Sequence, residues 1–574
     1  MAELPRTLQD AIFTTHRLGL RYVWIDALCI VQDDPMDWAG EAARMADIYH
    51  NAVVTLSATA SATAKDGMLL ARPEGPGWSC QLPWHNGPQA PSSSVTLVQN
   101  GAHRIDDGGA NSIEDSPMSK RAWCTQEALL SMRTLYFTSG SLVWECATLC
   151  EDELGWTQAV QRAPGKQNKK GKNPSQGGPV SSSTGLARGS LFFGRDATRP
   201  NLTLPTWQRL VSWYTERSLT NAADILPALG GMAAEMAPRV GGLPNGEKYY
   251  AGLWGATEAQ FVDGMLWWRW TGRFDAMRKE EASAHLTFDS PIKPSGPPPQ
   301  FEYLAPSWSW ASIQGRGGPR TASVVFGALD VYPDLVDDSE LPVITEHKGR
   351  AHRVDRSASQ VEVTRARVVS VATTPTPGSN RFGRVAGGHA TLEGRFRRVP
   401  PPAALPRGHG TDRLLRFLGE EHYPHFLAWD FQTGPEREFA VQHRQAVGPD
   451  GAPQPQGFAL LELARWQVKY PRKLFGKAKP SAFERSGHAI RDNGSYLMVL
   501  ESLGAMPPYG PSTTREAGAA DGEWRRIGLL KIDWSEGLDE DGTAASLRAD
   551  RLKGVWEEVV SEAGDWQRRT VTVV

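Results

Sequence analysis

Cysteine is scarce in this chain, with 5 in 574 residues. That is too few for a disulfide framework and points to a reducing compartment. No run of about 18 apolar residues occurs, so no membrane-spanning segment is expected. The opening Met1-Ala-Glu-Leu-Pro5 lacks the charged and apolar regions of a secretory signal, and the cytoplasm is the expected location. Neither sign of charge dominates: 62 Lys and Arg against 64 Asp and Glu give a net charge of −2. With a pI near 6.7, no electrostatic attraction to nucleic acid is expected. A phosphate-cradling loop of the Rossmann or Walker type is also missing, since Gly315-Arg-Gly-Gly318 reads only as a turn. There is no internal repeat. What remains is an ordinary soluble composition, 40% hydrophobic and 22% charged, with length for roughly two or three folding units.

The most informative stretch is Tyr22 to Thr59. Tyr22–Ile25 is a short aromatic and β-branched run that reads as a strand, ending at Asp26, where a buried strand would emerge into a crevice. Asp34 suits a helix cap, Pro35 the first helical position, and Asp37 the positive end of the helix dipole. Trp38, Ala42, Met45, Tyr49 and Ala52 then fall on one apolar helix face. Val53–Leu56 reads as a second strand. Tyr22–Ile25 and Val53–Leu56 are expected to be adjacent, buried and parallel, with Trp38, Met45 and Tyr49 packed on their sheet. Around this unit, Arg6–Leu18 reads as a helix stopped by Gly19, 67–116 as a loop-rich excursion, Arg121–Leu130 as a short helix, and Thr134–Phe137 and Ser141–Glu145 as closing strands. The expected fold of residues 1–157 is α/β, with a doubly wound, mainly parallel sheet.

Several blocks carry a family likeness. Arg21-Tyr-Val-Trp-Ile-Asp-Ala-Leu-Cys-Ile-Val-Gln-Asp33, Thr55-Leu-Ser-Ala-Thr59, Arg121-Ala-Trp-Cys-Thr-Gln-Glu127, Tyr250-Ala-Gly-Leu-Trp254 and Ala305-Pro-Ser-Trp-Ser-Trp-Ala-Ser312 occur in this order. Together they resemble the fungal heterokaryon incompatibility (HET) domain, whose first helix Leu4–Ile12 also fits. The resemblance implies a role in non-self recognition and programmed cell death, with other incompatibility proteins or a second copy as partners; the alternatives are a non-enzymatic signalling module and a truncated, degenerate member of the family without activity. HET domains usually open with a strand upstream of this helix. That first strand of a TIR- or flavodoxin-like order is expected to be missing here, leaving its neighbours unpaired.

Beyond this unit, 158–200 reads as a low-complexity, mobile insertion containing Gly165-Lys-Gln-Asn-Lys-Lys-Gly-Lys172. Residues 201–312 read as helical and Trp-rich: Trp207, Leu210, Val211 and Tyr214 share a face, and one helix is expected over Ala222–Met236. Residues 313–574 read as β-rich, with strands near Ser359–Thr373, Phe458–Tyr470, Ser495–Leu500 and Arg526–Asp533.

Glu127 is the leading candidate for chemistry. Its block also resembles the Trp-Cys-x-x-Glu helix start of Toll/interleukin-1 receptor (TIR) domains. In the enzymatic members, the matching glutamate helps cleave the nicotinamide–ribose bond of NAD. A carboxylate beside the ribose stabilises an oxocarbenium-like state. The resemblance thus implies NAD as a substrate rather than a bound cofactor, with Glu127 catalytic and Asp26, Trp24 and Trp123 binding ligand. The structural alternative is a helix-surface carboxylate paired with Arg121 or Arg133. Other readings are weaker. Asp26, Asp33 and Asp34 lack the ligand ladder of a calcium loop, and no metal is expected. Cys29 and Cys124, with His16 or His50 as base, are conceivable nucleophiles, but apolar surroundings favour inert thiols. Cys146 and Cys150 lack zinc spacing. Of the 21 tryptophans, Trp267, Trp268, Trp270, Trp308 and Trp310 favour packing or a protein interface over base stacking. Arg217 and Arg320 belong to no readable motif.

Overall fold

The computed structural model describes residues 3–70, 79–84, 93–98, 113, 116–146, 149–153, 157–159, 204–238, 248–270, 303–312, 323–326, 344–347, 350–353, 360–399, 426–429, 446–447, 453–454, 458–469, 491–503, 523–535 and 566–574. The low-complexity stretch, Arg320 and Gly315–Gly318 lie outside the described residues, save for the first two positions of that stretch.

Helix α1 (Arg6–Arg17) closes with Gly19 at φ +74°, the left-handed position that suits glycine. Its Asp10 turns inward, where Oδ2 accepts from the Met68 and Leu69 amides at 2.9 and 3.2 Å. The next segment corrects the sequence reading. Tyr22–Ile25 forms no strand, and Tyr22 is 84% exposed. The Ile25 carbonyl instead accepts from the Leu28 and Cys29 amides to open a short helix, α2 (Asp26–Cys29). Asp26 Oδ1 accepts from the Ala27 amide at 2.7 Å, a local bond that competes with strand extension.

Helix α3 (Pro35–Asn51) starts as its sequence dictates: Asp34 Oδ1 accepts from the Met36 and Asp37 amides at 2.8 and 3.3 Å, with Pro35 at the first position. The strand β1 (Thr55–Ser57) follows. It pairs in parallel with β2 (Arg133–Phe137), after which β3 (Leu142–Cys146), β4 (Leu149–Asp152) and β5 (Thr157–Ala159) add in antiparallel succession. The order is β1-β2-β3-β4-β5. Among the described residues this is a meander with one parallel pair, so the doubly wound, mainly parallel sheet is corrected. The strands after β2 follow one another within a few residues, too short a connection for a crossover helix, and so pair antiparallel. The loop-rich stretch holds its own antiparallel hairpin, Ser79–Trp84 with Ser93–Val98. Helix α3 packs on α4 (Cys124–Leu130) and on a helix of the central region, not mainly on the sheet.

The central region carries α5 (Leu204–Thr215), α6 (Pro227–Met236) and α7 (Glu258–Gly264). Trp207, Leu210, Val211 and Tyr214 share the buried face of α5, as their spacing predicts. The expected single helix over 222–236 is split into a 3-10 turn (Ala222–Asp224) and α6. Pro227 cannot continue a helix but fits its first turn. A capping box between Thr257 and Gln260 starts α7.

The carboxy-terminal part is β-rich. Strands β6 (Gln360–Arg365), β7 (Arg367–Pro375), β8 (Val385–Val399), β9 (Phe458–Lys469), β10 (Arg491–Ser502), β11 (Trp524–Ser535) and β12 (Gln567–Val573) form one sheet. Pairing runs β8-β9-β10-β11 antiparallel, β11 meets β12 in parallel at Trp524 and Val573, and β12 returns antiparallel to β8. These five strands close a barrel, while β6 and β7 flank it. Leu392, Leu461, Met498, Leu529 and Val571 are fully buried. One apolar cluster runs from Ala46, Leu129 and Leu130 through α5 and α6 to these barrel residues.

Two tryptophan blocks meet in the middle of this core. Trp207 and Trp310 both donate their indole N–H to the Gly252 carbonyl, at 2.8 and 3.0 Å. Trp267 donates to the Trp308 carbonyl at 2.9 Å. Arg526, 1% exposed, stacks 3.6 Å from the Trp267 ring centroid and donates to the Met265 carbonyl at 2.6 Å and to that of Trp267. Trp267, Trp268, Trp308 and Trp310 are therefore packing residues, not a surface for stacking bases.

Candidate functional site around Glu127

Helix α4 is short, and its placement is fixed at both ends. Before it, the Ala122 amide donates to the Ser218 carbonyl at 2.9 Å, and the Ser218 amide to the Lys120 carbonyl at 2.7 Å. After it, Ser131 Oγ lies 2.6 Å from the Glu127 carbonyl and 2.7 Å from Thr55 Oγ1 on β1. Its inner face buries Cys124, Thr125, Gln126, Leu129 and Leu130. Trp123, by contrast, is half-buried. The apolar anchors of the helix are Leu129 and Leu130, at 3% and 0% exposure.

Glu127 sits half-buried in the first turn of α4. The Tyr49 hydroxyl from α3 and the Cys124 thiol stand beside its carboxylate and favour its ionised form. Burial, with the negative Asp26 nearby, pushes its pKa up to about 7, against the opposing pull of Arg121 and of the two donors. Such a carboxyl exchanges its proton at neutral pH, which suits acid–base or charge-stabilising work. Burial, with the same carboxylate nearby, drives the Tyr49 hydroxyl and the Cys124 thiol well above their ordinary ranges. Cys124 thus remains a protonated donor and does not serve as a thiolate nucleophile. Cys29 is exposed on α2.

The structure brings three of the four expected site residues together. Asp26, exposed at the start of α2, is an electrostatic neighbour of Glu127 and of Tyr49. Trp24 stands edge-on to Tyr49, with ring centroids 5.8 Å apart. Trp123 points elsewhere: its indole N–H donates to Asp224 Oδ2 at 3.2 Å, and its ring meets Trp38 at 5.9 Å. Arg121 acts on Glu127, whereas Arg133 donates to the Val53 carbonyl at 3.4 Å. Asp34 is occupied as a helix cap. Tyr49 is the residue that sequence reasoning missed. Its periodicity marked it as a packing residue, and only the crossing of α3 and α4 turns its hydroxyl onto the carboxylate.

Residues 1–127 match the family described as heterokaryon incompatibility protein (HET). Over this stretch, about a fifth of the chain, the sequence is similar to a HET domain. The matched stretch contains Asp26, Tyr49, Cys124 and Glu127, so the whole cluster lies within the HET-like region. No curated protein and no solved structure matches the chain. No helix among the described residues is long and apolar enough to cross a membrane.

Proposed function

We propose that this is a fungal incompatibility-type protein, acting in the cytoplasm in non-self recognition and programmed cell death, whose HET domain cleaves NAD in the manner of TIR enzymes. The observation that carries this reading is the Glu127 carboxylate, poised near neutrality between the Tyr49 and Cys124 donors with Asp26 beside it. In the proposed reaction the bond between nicotinamide and ribose C1′ breaks, its electron pair leaves with nicotinamide, and water adds at C1′ and releases one proton to solvent. Ionised Glu127 faces the developing positive charge, and Asp26 adds to the negative potential. Trp24, edge-on to Tyr49, supplies an apolar wall for a ring of the substrate. The test is NAD consumption by purified full-length protein beside Glu127→Gln. Loss of NAD with the parent and none with the variant supports the reading, and untouched NAD with both overturns it.

A second reading, a non-enzymatic module that assembles with itself or with other incompatibility proteins, is favoured by a different observation. Large apolar side chains are exposed across the HET domain, with Tyr22 at 84%, Met36 at 71% and Val53 at 63%. Cell death triggered by Glu127→Gln as strongly as by the parent selects this second reading.

A further inference from the structure

The turn between β7 and β8, residues 376–384, reaches out of the barrel sheet and touches the elements that carry the Glu127 cluster. It is internally braced: the Thr376 amide donates to the Arg384 carbonyl at 2.9 Å, the Phe382 amide to Asn380 Oδ1 at 2.8 Å, and Gly378 takes φ +80°. Arg384 donates through Nη2 to Asp224 Oδ1 at 2.6 Å and through Nε to the Ala223 carbonyl at 3.2 Å. The other oxygen of Asp224 accepts from the Trp123 indole at 3.2 Å. Trp123 is the cap residue of α4. The Arg384 guanidinium also lies 5.1 Å from the Trp38 ring centroid on α3, and Trp38 meets Trp123 edge-on.

A second route runs through α6. Phe382 is 4% exposed and packs against Tyr249 at 5.1 Å. A Cβ at Gly230 would come 3.3 Å from the Phe382 carbonyl oxygen, and one at Gly231 would come 2.7 Å from Gln126 Oε1 and 3.0 Å from Ala46 Cβ. The tandem glycines thus let α6 sit tightly between the turn on one side and α3 and α4 on the other. Both routes end on α4, at Trp123 and at Gln126, on either side of Cys124 and immediately before Glu127.

We propose that the 376–384 turn of the carboxy-terminal sheet is a clamp that positions α4, with Arg384 the positioning residue that holds Glu127 against Tyr49 through Asp224 and Trp123. The catalytic consequence rests on the reading of Glu127 given above; the mechanical one does not. The geometry makes the HET site dependent on a segment some 250 residues downstream of it in the chain (Glu127 against 376–384). An event that displaces this turn would therefore alter the site without touching it.

Hydrogen–deuterium exchange of full-length protein separates the two levels. Arg384→Ala is compared with Arg384→Lys, Asp224→Asn and Arg367→Ala, the last removing an exposed ion pair on neighbouring β7. Arg384→Ala and Asp224→Asn are expected to speed exchange of amides 122–131 roughly tenfold or more, because each breaks a charged hydrogen bond. Arg384→Lys should recover part of the protection and Arg367→Ala should leave it unchanged. If the parent consumes NAD, kcat should fall in Arg384→Ala while KM stays within about twofold. Exchange at 122–131 that is unchanged in Arg384→Ala, or that rises equally throughout the core, overturns the clamp. A parent that leaves NAD untouched overturns the enzymatic reading alone, and the exchange result still judges the clamp.

Discussion

At the scale of single residues, Glu127 sets a sign that can be measured. Its pKa rises from 4.5 to about 7 on folding, chiefly through burial. The folded chain therefore holds this proton more tightly than the unfolded one. Its contribution to stability is complete below about pH 4.5 and is lost as the pH climbs through about 7. Glu127→Gln keeps the volume and removes the ionisation. Urea unfolding should thus find the variant more stable than the parent at pH 8, by roughly 2–3 kcal/mol, with the advantage gone by about pH 4. A variant with an unchanged pH dependence would mean that the carboxyl is well solvated. Tyr49→Phe removes a donor that favours the ionised form, so any Glu127-dependent activity should shift its rising limb to higher pH. Gly252 makes a separate case. It stands at φ +94°, and a Cβ there would lie 2.7 Å from the Trp310 ring. Gly252→Ala should cost about 1–3 kcal/mol from the backbone alone and more from displacing Trp310, read as a lowered denaturation midpoint.

At the scale of elements, what the sequence made legible was local, and what it hid was tertiary. The cap at Asp34, the glycine stop at Gly19, the apolar face of α5 and the runs at Phe458–Lys469 and Arg491–Ser502 all follow from chemistry within a few residues. Tyr22–Ile25 failed because composition alone does not supply a partner strand. Strands β8 and β12 escaped notice because Gly387-Gly388 and the arginine-rich Arg395–Arg398 and Arg568-Arg569 break the apolar alternation. Pairing with each other, not residue preference, makes them strands. Glu127 was legible from its block, whereas Tyr49 and the Asp224–Arg384 link depend on helices brought together from distant segments. The hierarchy within α4 is also tertiary. Leu130→Ala, at a fully buried site, should cost about 2–5 kcal/mol. Trp123→Ala, half-buried with one hydrogen bond to Asp224, should cost less than Leu130→Ala. Equilibrium unfolding of the two variants side by side checks the order, and the reverse ranking would make the tryptophan the helix's anchor.

At the scale of the whole chain, the continuous apolar cluster from Ala46, Leu129 and Leu130 to the barrel residues Leu461, Met498 and Val571 bears on whether the HET-like region folds as an independent unit. The family match ends at residue 127, but the buried surface does not stop there. Leu461 lies on β9, is fully buried, and is far in sequence from Glu127. Leu461→Ala should leave a cavity costing about 2–5 kcal/mol. If the cluster acts as one cooperative body, that cost should appear at both ends of it. Exchange measured in increasing denaturant should move the midpoints of 122–130 and of 495–500 down together. A Leu461→Ala variant that loses protection at 495–500 while 122–130 keeps the parent's midpoint would show an autonomous amino-terminal unit. In that case the clamp at Arg384 would be a contact between two separately stable bodies, able to open without unfolding either. A joint shift instead makes the barrel part of the framework that holds Glu127 in place, so that damage to the carboxy-terminal strands reaches the HET site through the core itself.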